Sequence, residues 1–458
     1  MIDNKLLQKY NNPVPRYTSY PPANFFTEEF SQDDFRKALT ESNEYDPQNI
    51  SFYFHIPFCK QICYFCGCNH YGISNDHIIE DYIKALKVEI KTMISHIDKS
   101  RLISQIHYGG GTPNAIPVEY LQEINEILFS EFGTIEQPEI AIECNPAYLT
   151  LEQMDGLKKA GFKRFSLGIQ DFDTDVLKAV NREKPGMPVK EIMDYLKDGD
   201  PEVAINLDFI YGLPKQSAAG FSKAIEQAIE LKPDRLVTFS YAHVPWVSPI
   251  QKKLEKVGLP ESDEKMRMFE NGFQLLTQNG YQAIGFDHFA LENDELAQAY
   301  QHKELHRNFQ GYCTRRTTGQ VYALGVTSIS QLSTVYAQNT KKLSDYIEQA
   351  GKGEIPIMKG YRLSKEQMVI REVINELMCN EQIIWNEIGH RFNLSGEEVK
   401  KTVVYDTAKL QEFEADGLIK LSDEKLEVTD EGLILIRNVA ASFDPLLQNT
   451  TKTFSKSV

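Results

Sequence analysis

The chain has 458 residues, with 49 Lys and Arg against 65 Asp and Glu, a formal net charge of −16. That balance argues against a nucleic-acid partner held mainly through phosphate contacts, and an anionic substrate would have to be met by basic residues gathered locally. No apolar run approaches the roughly 20 residues that span a bilayer, and the opening MIDNKLLQKYNN lacks an apolar signal core, so a cytoplasmic protein bound to neither nucleic acid nor membrane is expected. Hydrophobic residues at 41% over this length predict about two or three globular domains.

In chain order, residues 13–26, PVPRYTSYPPANFF, come first. Pro13, Pro15, Pro21 and Pro22 disfavour regular helix or strand there, so an extended arm is predicted. Its Arg16, Tyr17 and Tyr20 serve either packing or binding. Residues 52–69, FYFHIPFCKQICYFCGCN, then open with an aromatic, apolar run that reads as a buried strand ending at Pro57. Cys59, Cys63, Cys66 and Cys68 follow in the loop leaving that strand. Soft thiolates select iron–sulfur clusters, zinc or copper. Structural zinc sites usually pair two short Cys hooks, or a Cys pair with a His pair, and a single CxxxCxxC fits that poorly. With no secretory signal to favour disulfides, a metal cluster is predicted.

From residue 51 to about 290, strand-like runs alternate with helix-like ones. Strands are predicted at SFYFHI, SQIHYG, PEIAIEC, RFSLGIQ, VAINLDFIYG and DRLVTFSYA, and an amphipathic helix over 76–98. Alternation of this kind implies an α/β fold with parallel strands and crossover helices, a partial (β/α)6 TIM-like barrel whose functional groups lie at the C-terminal strand ends. Gly109, Gly110 and Gly111 end the second strand, where glycine permits close backbone approach. Glu143 closes the third strand and would be costly to bury unpaired, so it faces either a polar ligand or a basic partner. Gln170 and Asp208 end strands four and five, with Arg182 between them. Each alone reads as rim polar; together they could fix a nucleoside carrying a carboxylate. His55, on the first strand, reads as a satisfied core histidine. The segment 302–312, HKELHRNFQGY, reads by default as a solvated helix face. Beyond residue 355 successive helices, a hairpin and a last helix suggest a winged helix, but without a basic recognition stripe it is read as a structural lid.

Four strings, PRYTSYP, CxxxCYFCGC, GGGTP and HRNFQGY, resemble the oxygen-independent coproporphyrinogen III oxidases, a family of radical S-adenosylmethionine (SAM) enzymes, over nearly the full chain. The resemblance implies that Cys59, Cys63 and Cys66 hold three irons of a 4Fe-4S cluster whose fourth iron is chelated by SAM, with Cys68 not a ligand. It implies Tyr53, Gly110, Gly111, Thr112, Glu143, Ala242 and Ile329 around that SAM. Phe65, Gln170, Arg182 and Asp208 match positions assigned to a second SAM molecule. The pair Cys144 and Asn145, where the family more often has an apolar residue and Asp, departs from the pattern. Arg16, Tyr17 and Arg307 are implied on the substrate side.

The activity implied is the anaerobic oxidative decarboxylation of two propionates of coproporphyrinogen III to vinyl groups, giving protoporphyrinogen IX in heme biosynthesis, through a SAM-derived 5′-deoxyadenosyl radical. No side-chain nucleophile or base is required, since the cofactor performs the difficult chemistry. Two relatives of that superfamily are the alternatives: a heme chaperone, which lacks the arm and the fourth cysteine, and a radical SAM methyltransferase. Tyr17, Tyr20 and Cys68 favour the oxidase. The domain reading is an arm over the active site (1–50), a partial barrel (51–290), a substrate-side extension (291–355) and a mainly helical domain (356–458). A monomer is expected, served by an electron donor and an acceptor that the sequence does not identify.

Overall fold

The computed structural model of the chain describes residues 6, 9–10, 12–285, 287–403, 405–447, 450, 452 and 454. All six predicted strands form: β1 (Ile50–Ile56), β2 (Ile103–Gly110), β3 (Thr134–Cys144), β4 (Arg164–Gln170), β5 (Ala204–Tyr211) and β6 (Arg235–Ser240). Each lies parallel to the next. Helix α1 (Gln32–Glu41) precedes β1. The crossovers are α2 (Asp76–Ile94), α3 (Val118–Glu131), α4 (Leu151–Lys159), α5 (Thr174–Ala179) with α6 (Val189–Lys197), and α7 (Ala218–Leu231); α8 (Ser262–Gln278) follows β6. In α2, Asn75 caps the start by accepting from Ile78 N, and the helix stops at Ser95, short of the predicted residue 98.

Strand β1 is buried at every position but Tyr53, as a central parallel strand covered on both faces must be. Beyond β6 the chain adds the hairpin β7 (Tyr281–Ile284) and β8 (His288–Leu291), then α9 (Glu295–Gln301), β9 (Leu305–Asn308) and β10 (Gly311–Thr314). The predicted helix face at 302–312 is therefore corrected: Leu305–Thr314 is an antiparallel ribbon. Its turn is closed by Gly311 at φ 133, a backbone conformation that glycine alone adopts readily and that an α-helix cannot contain.

The stretch 291–355 then lays β11 (Gln320–Leu324) parallel to β1 on its free side. Antiparallel strands β12 (Ile329–Gln331), β13 (Val335–Asn339) and, after α10 (Leu343–Gly351), β14 (Ile357–Arg362) extend the sheet. The resulting twelve-stranded order is β14-β13-β12-β11-β1-β2-β3-β4-β5-β6-β8-β7. The C-terminal part packs α11 (Lys365–Asn380), α12 (Trp385–Phe392), α13 (Gly396–Thr402), α14 (Thr407–Ala415) and α15 (Ile436–Ala441) on a three-stranded sheet of β15 (Gln382–Ile384), β16 (Ile419–Leu421) and β17 (Lys425–Val428).

The arm joins this C-terminal core. Tyr10, Tyr17 and Tyr20 are buried in one apolar cluster with Val373, Leu377 and Val439. Arg437 donates to the carbonyls of Val14 (2.6 Å) and Pro15 (3.0 Å), and Tyr17 OH donates to Asp444 at 3.0 Å. Among the described residues, no helix is long and apolar enough to cross a membrane.

One buried carboxylate ties the barrel to its extension. Glu89 of α2, 0% exposed, accepts from Tyr346 OH (2.5 Å), Asn339 Nδ2 (2.6 Å) and Gly325 N (2.9 Å). Burial pushes its carboxyl up from 4.5 to about 7 despite these donors. Glu89→Ala removes all three bonds and should cost about 3 kcal/mol, seen as a lowered melting temperature; Glu89→Gln should cost less. A folded pKa raised in this way gives a contribution complete below pH 4.5 and lost as pH rises through about 7, so melts of Glu89→Gln should show less pH dependence across that window.

Candidate active site

The C-terminal ends of the parallel strands form one rim, and most predicted residues lie on it. Tyr53 and His55 share a face of β1, because strand side chains repeat every second residue. Tyr53 OH donates to His55 Nδ1 at 3.2 Å, and His55 Nε2 donates to Asn69 O at 2.9 Å. Burial lowers the His55 pKa, so the ring is the neutral tautomer that these bonds require. Its role is to tie the far end of the cysteine loop back to β1.

That loop is pinned at both ends. Tyr71 N donates to Pro57 O (2.7 Å) and Ile73 N to Cys59 O (3.0 Å), while Gly111 N and Thr112 N at the end of β2 donate to Ile56 O (2.8 Å) and Phe58 O (2.9 Å). Ser248 Oγ holds Cys66 O at 2.8 Å and Gln251 Nε2 holds Phe65 O at 2.9 Å. Phe65 packs beside Val176, Val180, Leu213, Tyr241 and Leu254.

Each of the three candidate ligands has a polar neighbour: Thr112 Oγ1 at 3.5 Å from Cys59 Sγ, Arg182 Nη1 at 3.8 Å from Cys63 Sγ, and His70 Nδ1 at 3.5 Å from Cys66 Sγ. Burial pushes the Cys59 thiol up to about 11 and that of Cys63 up as well. The bond with Cys68, then that with His70, holds the Cys66 thiol below its usual range. Burial thus favours the protonated thiol at Cys59 and Cys63, and a metal bound there would take the place of those protons. Cys68 is exposed.

The three glycines prove necessary first for the chain itself. A Cβ at Gly109 would lie 2.7 Å from Glu143 Oε1, one at Gly110 would lie 2.7 Å from the His55 ring, and one at Gly111 would lie 2.7 Å from the backbone of Pro57. Glu143 accepts from His107 Nε2 at 3.1 Å, yet 46% of its side chain stays exposed at the rim. Both alternatives for it hold in part: it has a basic partner and remains open to a ligand. Cys144 and Asn145 are buried, and Asn145 N donates to Asn114 Oδ1 at 2.8 Å, so the departure at this strand end is absorbed by packing.

Gln170, at φ 68, sits in the left-handed region with a buried, unpartnered Oε1, a local strain of the kind that clusters at ligand sites. Arg182 Nη2 donates to Gly168 O at 2.5 Å while its Nε has no partner. Asp208 accepts from Ser166 Oγ (2.6 Å) and Asn206 Nδ2 (2.7 Å), and burial pushes its carboxyl up to about 6. Ala242 is exposed just after β6, and Ile329 begins β12, at the other end of the rim. A donor set of three cysteines fits a cluster with one open iron. The unpartnered atoms of Gln170 and Arg182 fit a polar ligand beside it.

On the other side of the mouth, Arg16 is exposed while Tyr17 is buried against Asp444. The charge of Arg16 acts on Tyr211, Lys265 and Asp287, so the arm, though anchored in the C-terminal core, brings this guanidinium to the ends of β5 and β6. Arg307 lies 5.0 Å over the Tyr312 ring with its Nε buried and unpartnered. The sequence reading missed His107, His70 and the pair Asp287–His288. Only His107 carried a usable signal, its place two residues before Gly109 on the same strand face.

Residues 53–228 match the Radical SAM superfamily and residues 363–435 the HemN C-terminal domain. The chain is 40% identical over 457 residues to the oxygen-independent coproporphyrinogen III oxidase of Synechocystis sp., covering 99% of this chain and 97% of that one. It is 38% identical over 459 residues to that of Helicobacter pylori, covering 100% and 99%. The structure of coproporphyrinogen III oxidase (HemN) from Escherichia coli, described as a radical SAM enzyme, matches with a TM-score of 0.88 at 35% identity, over 97% of this chain and 100% of that chain.

The glycine contacts predict unequal costs. The methyl of Gly109→Ala meets a carboxylate that can swing away, whereas that of Gly111→Ala meets backbone. Gly111→Ala should therefore lower the melting temperature and the iron and sulfide bound per chain distinctly more than Gly109→Ala.

Proposed function

Since the chain belongs to the oxygen-independent coproporphyrinogen III oxidases, radical SAM enzymes of heme biosynthesis, we propose how its own residues carry the anaerobic conversion of coproporphyrinogen III to protoporphyrinogen IX. The cofactors of such an enzyme are a 4Fe-4S cluster and SAM, and together they supply the one-electron cleavage that removes a hydrogen atom from a propionate β-carbon, after which loss of carbon dioxide and an electron leaves a vinyl group.

Cys59, Cys63 and Cys66 hold the cluster, with Cys68 outside the ligand set. Tyr53, Gly110, Gly111, Thr112, Glu143, Ala242 and Ile329 surround the SAM on the open iron. Phe65, Gln170, Arg182 and Asp208 take a second SAM, Asp208 by accepting ribose hydroxyls and Arg182 by meeting a carboxylate with its spare N–H. Arg16, Tyr17 and Arg307 attend the substrate, whose carboxylates need the local cations that an acidic chain otherwise lacks. The arm within 1–50 brings Arg16 over the mouth, 51–290 form the partial barrel, 291–355 extend it on the substrate side, and the helices of 356–458 close it as a lid that anchors the arm. The enzyme works as a cytoplasmic monomer with a separate electron donor and acceptor. The observation that supports this reading best is the convergence on a single rim of the cysteine hook with the polar residues ending β2 to β5.

Reduced, reconstituted protein given SAM and coproporphyrinogen III under argon should release carbon dioxide and the divinyl product. Tight heme binding without turnover, or a methylated product, would overturn the assignment. For the ligand set, Cys59→Ser should abolish the cluster absorbance and Cys68→Ser should keep most of it; equal loss from both would show the set to be wrong.

A further inference from the structure

Three cations lie around the outer end of the rim in a chain of net charge −16. Arg16 is carried there by the arm, and Arg307 is enclosed with an unpartnered Nε. Lys265, from α8, crosses Gly212, where a Cβ would lie 2.9 Å from its Cε, and its Nζ donates to Tyr241 O at 2.7 Å. Among the described residues none of the three has a carboxylate within ion-pair distance. The acid that feels Arg16 and Arg307 is Asp287, in the turn before β8, whose backbone carbonyl accepts from Thr238 N of β6 at 2.8 Å. Its Oδ1 accepts from His288 Nδ1 at 2.7 Å, and 34% of its side chain is exposed. His288 stands edge-on to Tyr312 at 5.1 Å, and its protonated form would act on Asp208, so the pair sits between the nucleoside end of the site and the cations. Burial by itself would raise the Asp287 carboxyl, but His288, Arg307 and Arg16 outweigh it and hold it below the usual carboxylate range.

A porphyrinogen carries carboxylates around its rim and four pyrrole N–H donors that can converge on one face of a puckered, non-aromatic ring. Its complement is one ionised acceptor set among spaced cations. We propose that Asp287, oriented by His288, is the central acceptor for the pyrrole N–H groups of the porphyrinogen, and that Lys265 joins Arg16 and Arg307 in holding its carboxylates. The inference rests on the function proposed above. It assigns ring recognition to a carboxylate, so the oxidation state of the macrocycle is read at its centre: an aromatic porphyrin keeps the carboxylates but offers two N–H groups and two bare nitrogens in its plane.

The test is anaerobic titration of the reconstituted holoenzyme with coproporphyrinogen III and, separately, with coproporphyrin III. The wild-type protein should prefer the porphyrinogen. Asp287→Ala should weaken porphyrinogen binding about 10- to 100-fold, from the loss of charge-assisted hydrogen bonds, and change porphyrin binding little; Asp287→Asn should fall between. Lys265→Met should weaken both compounds alike. SAM binding by the same variants checks that they are folded, and Asp287→Asn serves if the alanine variant is not. Unchanged porphyrinogen affinity in a folded Asp287 variant would overturn the proposal, leaving the Asp287–His288 pair as a hairpin fastening. A wild-type protein that binds neither compound would instead overturn the function on which it rests.

Discussion

The site depends on the four backbone hydrogen bonds that fix where the cysteine loop leaves and rejoins the barrel. Two come from the returning chain at Tyr71 and Ile73, and two from Gly111 and Thr112 at the end of β2. They make the loop continuous with the sheet. A three-residue and a two-residue spacing between cysteines then decide how the sulfurs can face one another, while the anchors decide where that group lies. This is why glycine at 111 matters to the loop: the two backbones meet too closely there for any Cβ. His55, Ser248 and Gln251 add side-chain ties at other points of the same loop, whose ends pair as the short parallel strands Phe58–Cys59 and Tyr71–Gly72.

Charge follows a related logic. The chain is acidic as a whole, and elsewhere many of its cations pair with carboxylates, as Arg235 does with Asp294 at 2.7 Å. At the mouth, Arg182, Arg307, Arg16 and Lys265 instead end on carbonyls, rings or solvent. Cations left without acids in an acidic protein form a local field suited to an anionic ligand. His288 first, then Arg307 and Arg16 of this field, hold the Asp287 carboxyl below its usual range against the effect of burial.

The arm shows how distant parts of the chain are brought to bear on one place. Its prolines leave it no regular structure beyond the 3-10 turn Ala23–Phe25, so its backbone groups need partners elsewhere. Arg437 supplies two of them, at Val14 and Pro15, and Tyr17 is sunk against Asp444. Held on both sides, Arg16 has little choice but to face the barrel mouth. The C-terminal helices therefore serve as the anchor of the arm.

Much of this was legible beforehand. Alternating strand and helix patterns over 51–290 announce parallel strands because period-2 and period-3.6 burial differ within a few residues, and the cysteine spacing points to a metal cluster because soft donors so close together have few other uses. The polar residues from Glu143 to Asp208 could be picked out since each interrupts an apolar strand at its end. What escaped was whatever depends on contacts across the fold. The ribbon Leu305–Thr314 passed for a helix face because its register is set by a glycine turn and its burial by α11. Strand β11 is too short to announce that it lies beside β1. Asp287, His288 and Lys265 come from a hairpin turn and a helix, and no pattern local to either could reveal that folding sets them near Arg16, on an arm more than two hundred residues away.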